Sequence, residues 1–275
     1  MLRKLIKYDI KSISRVFIPM WILTPIVALM LSFSIRGMST WTQNIISSGF
    51  MVAGNGILMM VMMLLFFGIM VGLFVMTILF TIQRFWNGLL KEEGYLMFTL
   101  PVKVWELIVS KAITATIVSC ISILVGIFSS MILAVFSTDE FITSLAYAWK
   151  YMFGVVWKID ARFIINFILC IILFIVMLVE NVYHVYTAMA VGQLWQEHKV
   201  LGSCLSYVGI SMIVSILGNV METIFVEISP WDWDFYINEY MDVIYLLILL
   251  FISVMQVLIY HVITERILST KLNLE

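Results

Sequence analysis

Apolar residues in this chain fill whole stretches instead of recurring at the spacing of a surface helix. Six such runs stand out, at about 16–35, 57–82, 105–136, 163–191, 203–226 and 241–264, and charge is largely confined to the segments outside them. A helix needs ~20 mostly apolar residues to cross the hydrocarbon core of a bilayer. Every run meets that length, and the third and fourth exceed it, which predicts tilt or extension into water. All six are expected to be helices. The connectors are too irregular for barrel strands, and lipid leaves backbone groups no other way to be satisfied.

Composition supports the same picture. Of 275 residues, 63% are hydrophobic and 12% charged, against about 45–50% and about 25% in ordinary soluble domains. The expectation is an all-α integral membrane protein, a single membrane domain over residues 1–275. Too little chain remains outside the spans for a soluble enzyme domain. A net charge of −1 gives no reason to expect a nucleic-acid partner. Cys120, Cys170 and Cys204 form no CxxC pair and no cluster with histidine, so they read as small apolar packing residues and no metal site is expected.

The N-terminal segment "MLRKLIKYDIKSISRVF" sets Leu2, Leu5, Ile6, Ile10, Ile13 and Phe17 at helical spacing, with Lys4, Lys7, Lys11 and Arg15 on the other face. It predicts a basic amphipathic helix over 1–15 at the headgroup level, drawn to anionic lipid. Pro19, Pro25 and the lack of a small-residue cleavage site argue that the segment stays attached as an anchor. If six spans alternate, Arg3 to Arg15, Arg84 to Lys111, Lys199, Arg266 and Lys271 share one side. By the positive-inside rule both termini then face the cytoplasm of a multi-pass cell-membrane protein. The acidic, aromatic segment "VEISPWDWDFYINEYMD" suits the opposite interface.

The connector "RFWNGLLKEEGYLMFTLPVKVWELIVSK" (84–111) is unusually rich for a tether. Gly94 is placed to end one helix and Pro101 to open the next. Between them "YLMFTL" holds an apolar patch in water beside Glu92 and Glu93, the kind of surface a partner's groove accepts.

The pattern KEEGYL-x-FTLPV-K-x-W-E-L-I-x-SK resembles the connector between spans two and three of ATP-binding-cassette type-2 exporter permeases, especially those of Gram-positive bacteria. The six-span layout is similar across the whole chain, while the specific motif covers about a tenth of it. Lys103 departs from the pattern, which has a small polar residue there. The resemblance implies an amphipathic elbow helix before span one and a cytoplasmic coupling helix that docks into a separate ATPase subunit through Glu92, Glu93, Gly94, Tyr95, Phe98, Leu100 and Pro101. "GQLWQEHKVLGS" (192–203) resembles the family's second cytoplasmic turn, which makes Gln193, Trp195 and Lys199 candidates for a second contact. It implies a second permease, identical or related, and export of an amphipathic or apolar molecule such as a peptide, drug or lipid-like compound. It also implies ATP and Mg bound by the partner ATPase, with no cofactor on this chain.

No G-x-x-x-x-G-K-[ST] occurs and no catalytic arrangement stands out, so the chain is not expected to be an enzyme. Glu180, Tyr183, His184 and Thr187 share a face of span four. A lone carboxylate in hydrocarbon costs about 2.5–3.5 kcal/mol on insertion scales. Two readings fit: this face lines a translocation path, or Glu180 and His184 pair at i,i+4 and lock the bundle. His261 and Gln256 read as packing or bundle hydrogen bonds. Gly68 and Gly72 form a G-x-x-x-G that permits close approach, within the chain or between subunits. The methionines of span two read as lipid-facing or core filler. Outside transport, the sequence also fits a membrane immunity or sensor protein, and, through Glu180, a proton-coupled secondary transporter.

Overall fold

The computed structural model describes residues 2–44, 49–90, 103–137, 143, 145–147, 149–150, 161–195, 198–228 and 241–270. Among them six long helices follow in order: α1 (Leu2–Asn44), α2 (Gly49–Phe85), α3 (Val104–Ser137), α4 (Ala161–Gly192), α5 (Lys199–Ile228) and α6 (Met241–Thr270). There is no strand among the described residues. Each helix contains a stretch long and apolar enough to cross a membrane: Ile6–Arg36, Ile57–Leu90, Val104–Ser137, Ile164–Gly192, Lys199–Val220 and Val243–Thr270. The chain is therefore an all-α protein of multi-pass membrane type.

The expected spans and the observed helices agree closely, with three informative differences. The basic amphipathic segment and the first span form one helix. α1 runs unbroken through Pro19 and Pro25, which membrane helices tolerate because neighbouring groups re-satisfy the freed backbone. The stripe expected from the sequence is present only in part: Lys7, Lys11 and Arg15 are exposed and Ile13 and Phe17 buried, but Ile10 is exposed and Asp9 buried. Second, α2 does not stop at its apolar boundary. It passes into a π-helical turn, Trp86–Leu90. Third, Cys170 and Cys204 are exposed free thiols and Cys120 is half-buried, so two of the three do not serve as interior packing.

Residue contacts divide the chain into two compact units. One comprises Lys7–Leu79 and Ile117–Ile159. Its polar side chains mostly bond back to their own helix, as Thr24 does to the Met20 carbonyl at 2.7 Å and Ser129 to Val125 at 2.8 Å. Ser122 on α3 is the exception. It accepts from Trp21 Nε1 of α1 at 3.1 Å and from the Thr77 hydroxyl of α2 at 3.3 Å. Among the described residues Gly68 and Gly72 have no atom within 4 Å of where a Cβ would stand, so neither makes a close helix approach to them. Met60 and Met63 are exposed, on the lipid-facing side of the two readings.

The other unit comprises Met1–Ile6, Phe80–Thr116 and Asp160–Glu275. Its core gathers Phe85 and Leu89 from the end of α2, and Leu107, Ile108 and Ala112 from the start of α3. Tyr183, Tyr186 and Met189 of α4 and Tyr260 and Leu268 of α6 complete it. Both flanks of the 91–102 connector are thus sewn into the core that also holds α4 and α6. The connector itself lies outside the described residues.

Candidate functional site

The site is built on α4, against which both α5 and α6 pack. The helix changes character along its length. From Ile164 to Asn181 no side chain is buried, whereas Val182, Tyr183, Tyr186, Thr187, Ala188, Met189 and Ala190 all are. The polar residues of the run start where burial starts. In lipid, helices gain nothing from hiding apolar surface from each other, so polar and small residues decide where they meet.

Two sets of contacts tie α4 to its neighbours. His184 Nε2 lies 3.1 Å from the Ser211 hydroxyl of α5. Its ring sits 4.7 Å from that of Tyr207 and 5.4 Å from that of Tyr260. One turn further, the Thr187 hydroxyl lies 3.1 Å from that of Thr264 and 3.2 Å from the Tyr260 carbonyl. His184, one of the polar residues on this face of α4, thus engages α5. His261 meets the edge of Tyr183 at 5.5 Å and lies 3.9 Å from the Glu265 carboxylate.

Below this polar level the aromatic core takes over. Tyr186, fully buried, stacks on Phe85 at 4.2 Å, and Tyr183 meets Tyr186 edge-on at 6.2 Å. Gly88, in the π-turn, sits where a Cβ would lie 3.4 Å from Cε of the buried Lys111. These contacts join the end of α2 and the start of α3 directly to α4.

The turn between α4 and α5 brings together the second set of expected residues. α4 ends at Gly192, and Gln193, Leu194 and Trp195 close a tight turn through bonds to Met189, Val191 and Gly192. Two glycines make this possible. A Cβ on Gly192 would run into the Ser203 backbone, and one on Gly202 would lie 3.0 Å from both the Gly192 carbonyl and Trp195. The outcome is an exposed apolar cap. Leu194 and Trp195 are 44% and 49% exposed, Val200 66%, with Lys199 half-buried beside them.

Glu92, Glu93, Gly94, Tyr95, Phe98, Leu100 and Pro101 lie outside the described residues. Their flank is described: α3 opens with the Glu106 amide bonded to Lys103 at 3.0 Å, an acidic side chain in its first turn, and Trp105 40% exposed. Sequence reasoning missed Ser211 and Tyr260, which complete the polar level. Each is one small or aromatic residue in an apolar helix, and only the fold reveals which faces α4. No group of three or more metal-type side chains occurs among the described residues. Comparison with family models, curated proteins and solved structures found no match.

Proposed function

We propose that this chain is the membrane permease subunit of an ATP-driven exporter of the ATP-binding-cassette type-2 kind, moving an amphipathic or apolar molecule. A separate cytoplasmic ATPase and a second permease complete the working unit. The observation that carries this reading is the exposed apolar cap at the α4–α5 turn, Leu194, Trp195 and Val200. It belongs to the same compact unit that takes up both flanks of the 91–102 connector. An exposed tryptophan among apolar neighbours suits a gripping point for a partner. A push on the connector reaches Phe85 and Leu107, and through the Phe85–Tyr186 stack it reaches α4. Force applied at the cytoplasmic end would then be felt at Glu180 and His184, the polar level of the span. The basic residues on that end support the orientation.

The test is purification of the chain from its own membranes in mild detergent. An ATPase carrying a phosphate-binding loop should accompany it, and Leu100→Asp should abolish that association while leaving insertion intact. Association that survives Leu100→Asp removes the docking role. Substrate movement that survives ATP depletion but collapses with the proton gradient would favour coupling through Glu180 instead.

A further inference from the structure

α1 turns one stripe outward along much of its length. At ~3.6 residues per turn, Lys7, Lys11, Arg15, Ile18, Ile22 and Ile26 share one side of the helix, and all of them are exposed. Asp9, Ile13, Phe17, Thr24 and Ala28 lie on the opposite side and are buried. The amphipathic pattern alone predicts a helix lying in the interface with its apolar side in lipid. Here Ile13 and Phe17 are covered by the chain itself, and the helix runs on without a break into the first span. The cations are therefore stacked along the axis of a spanning helix, not spread across the membrane surface. Rising ~1.5 Å per residue, the stripe covers about 12 Å from Lys7 to Arg15 and about 16 Å from Arg15 to Ile26, close to one leaflet's half of a ~30 Å hydrocarbon core. Asp9 is the one carboxylate in this cationic stretch, and it is on the buried side. The exposed stripe thus presents cations first and hydrocarbon after, over the length of a phospholipid.

We propose that this stripe of α1 is a binding site for one anionic phospholipid, with its phosphate held by Lys11 and Arg15 and an acyl chain lying along Ile18, Ile22 and Ile26. The Arg15 guanidinium can donate two parallel hydrogen bonds to the phosphate oxygens, and Lys11 adds a point charge one turn away. Lys7, a further turn toward water, draws the head group in. Tyr8, 71% exposed beside this row, puts an amphipathic ring at the headgroup level. The isoleucines favour no lipid over another, since all acyl chains solvate them alike. They set the depth of the chain so that its phosphate stands level with Arg15. Selectivity therefore resides in the head group, and it requires the phosphate charge to be uncompensated within the lipid itself.

The experiment titrates the full chain in detergent with phosphatidylglycerol or phosphatidylcholine of identical acyl chains. Native mass spectrometry counts each lipid bound. A Lys or Arg near an anionic lipid surface is worth about fivefold in affinity. The first phosphatidylglycerol should therefore bind about fivefold or more tighter than the first phosphatidylcholine. Lys11→Gln combined with Arg15→Gln should remove most of that preference. Arg266→Gln, which deletes an exposed cation on another helix, should leave it unchanged. Millimolar inorganic phosphate at fixed ionic strength should not displace the lipid. Equal binding of the two lipids, or a preference that survives the double variant, overturns the proposal. So does an equal loss from Arg266→Gln, which would show diffuse attraction, or displacement by inorganic phosphate, which would show an anion site with no need of a lipid. If the double variant fails to insert, Arg15→Gln alone and the wild-type preference still decide. No ATP or partner chain enters the measurement, so its outcome is independent of the export reading.

Discussion

The two halves of α4 invert the rule for a soluble helix: the more apolar half is bare and the half that carries the polar residues is packed. Residues 164–177 expose side chains such as Phe167, Ile168, Ile171 and Phe174, while 182–190 are largely enclosed by α5, α6 and the ends of α2 and α3. In water both halves would seek cover. In lipid the first has no reason to, because acyl chains solvate isoleucine as well as another helix does. The difference follows the polar and small residues. His184 and Thr187 reach across to α5 and α6, and Gly192 lets α5 come close. The packed half is also the half tied to the connector flanks, so the part of the span best built to receive a push is the part nearest the proposed ATPase.

Substitutions can break or sharpen this contrast. Tyr186→Ala removes a fully buried ring from the Phe85 stack and should cost about 3–5 kcal/mol, read as a fall in unfolding temperature in detergent. Gly192→Val drives a side chain into the Ser203 backbone, and overpacking of this kind costs about 1–3 kcal/mol. The same assay should show it, together with altered protease access at Trp195. Thr187→Val keeps the shape but removes the bonds to Thr264 and the Tyr260 carbonyl. Interhelical hydrogen bonds in membranes average about 0.6 kcal/mol, with a maximum near 1.7, so a small but measurable loss is expected. Ile168→Ala, on the bare half and 49% exposed, should fall within about 0.5 kcal/mol of wild type. A loss at Ile168 as large as that at Tyr186 would end the distinction between the halves.

Much of the architecture was legible because span length and charge placement are set by the bilayer, not by tertiary detail. The second run, read as 57–82, extends to Leu90 only because its end winds into a π-turn. Nothing in "RFWNGLL" announces that turn. The face carrying Glu180, Tyr183, His184 and Thr187 was readable from helical spacing alone. Its partners were not, since Ser211 and Thr264 are ordinary residues until the helices that carry them are placed. The turn at 192–203 shows the intermediate case. Its exposed tryptophan was evident, and the pair Gly192 and Gly202 was the available signal for a close crossing, although one sequence could not reveal that the two meet.

The central claim is that the connector end of this chain is gripped by a motor that the chain itself lacks. ATP hydrolysis by the complex purified from its own membranes, compared between wild type and Trp195→Asp, tests it most directly. The account predicts hydrolysis in the wild-type complex and a loss of about tenfold or more in the variant, the size expected when an aromatic anchor at an interface is removed, with the chain still inserted at normal levels. A wild-type complex that hydrolyses no ATP, or a variant that hydrolyses it undiminished, would contradict it.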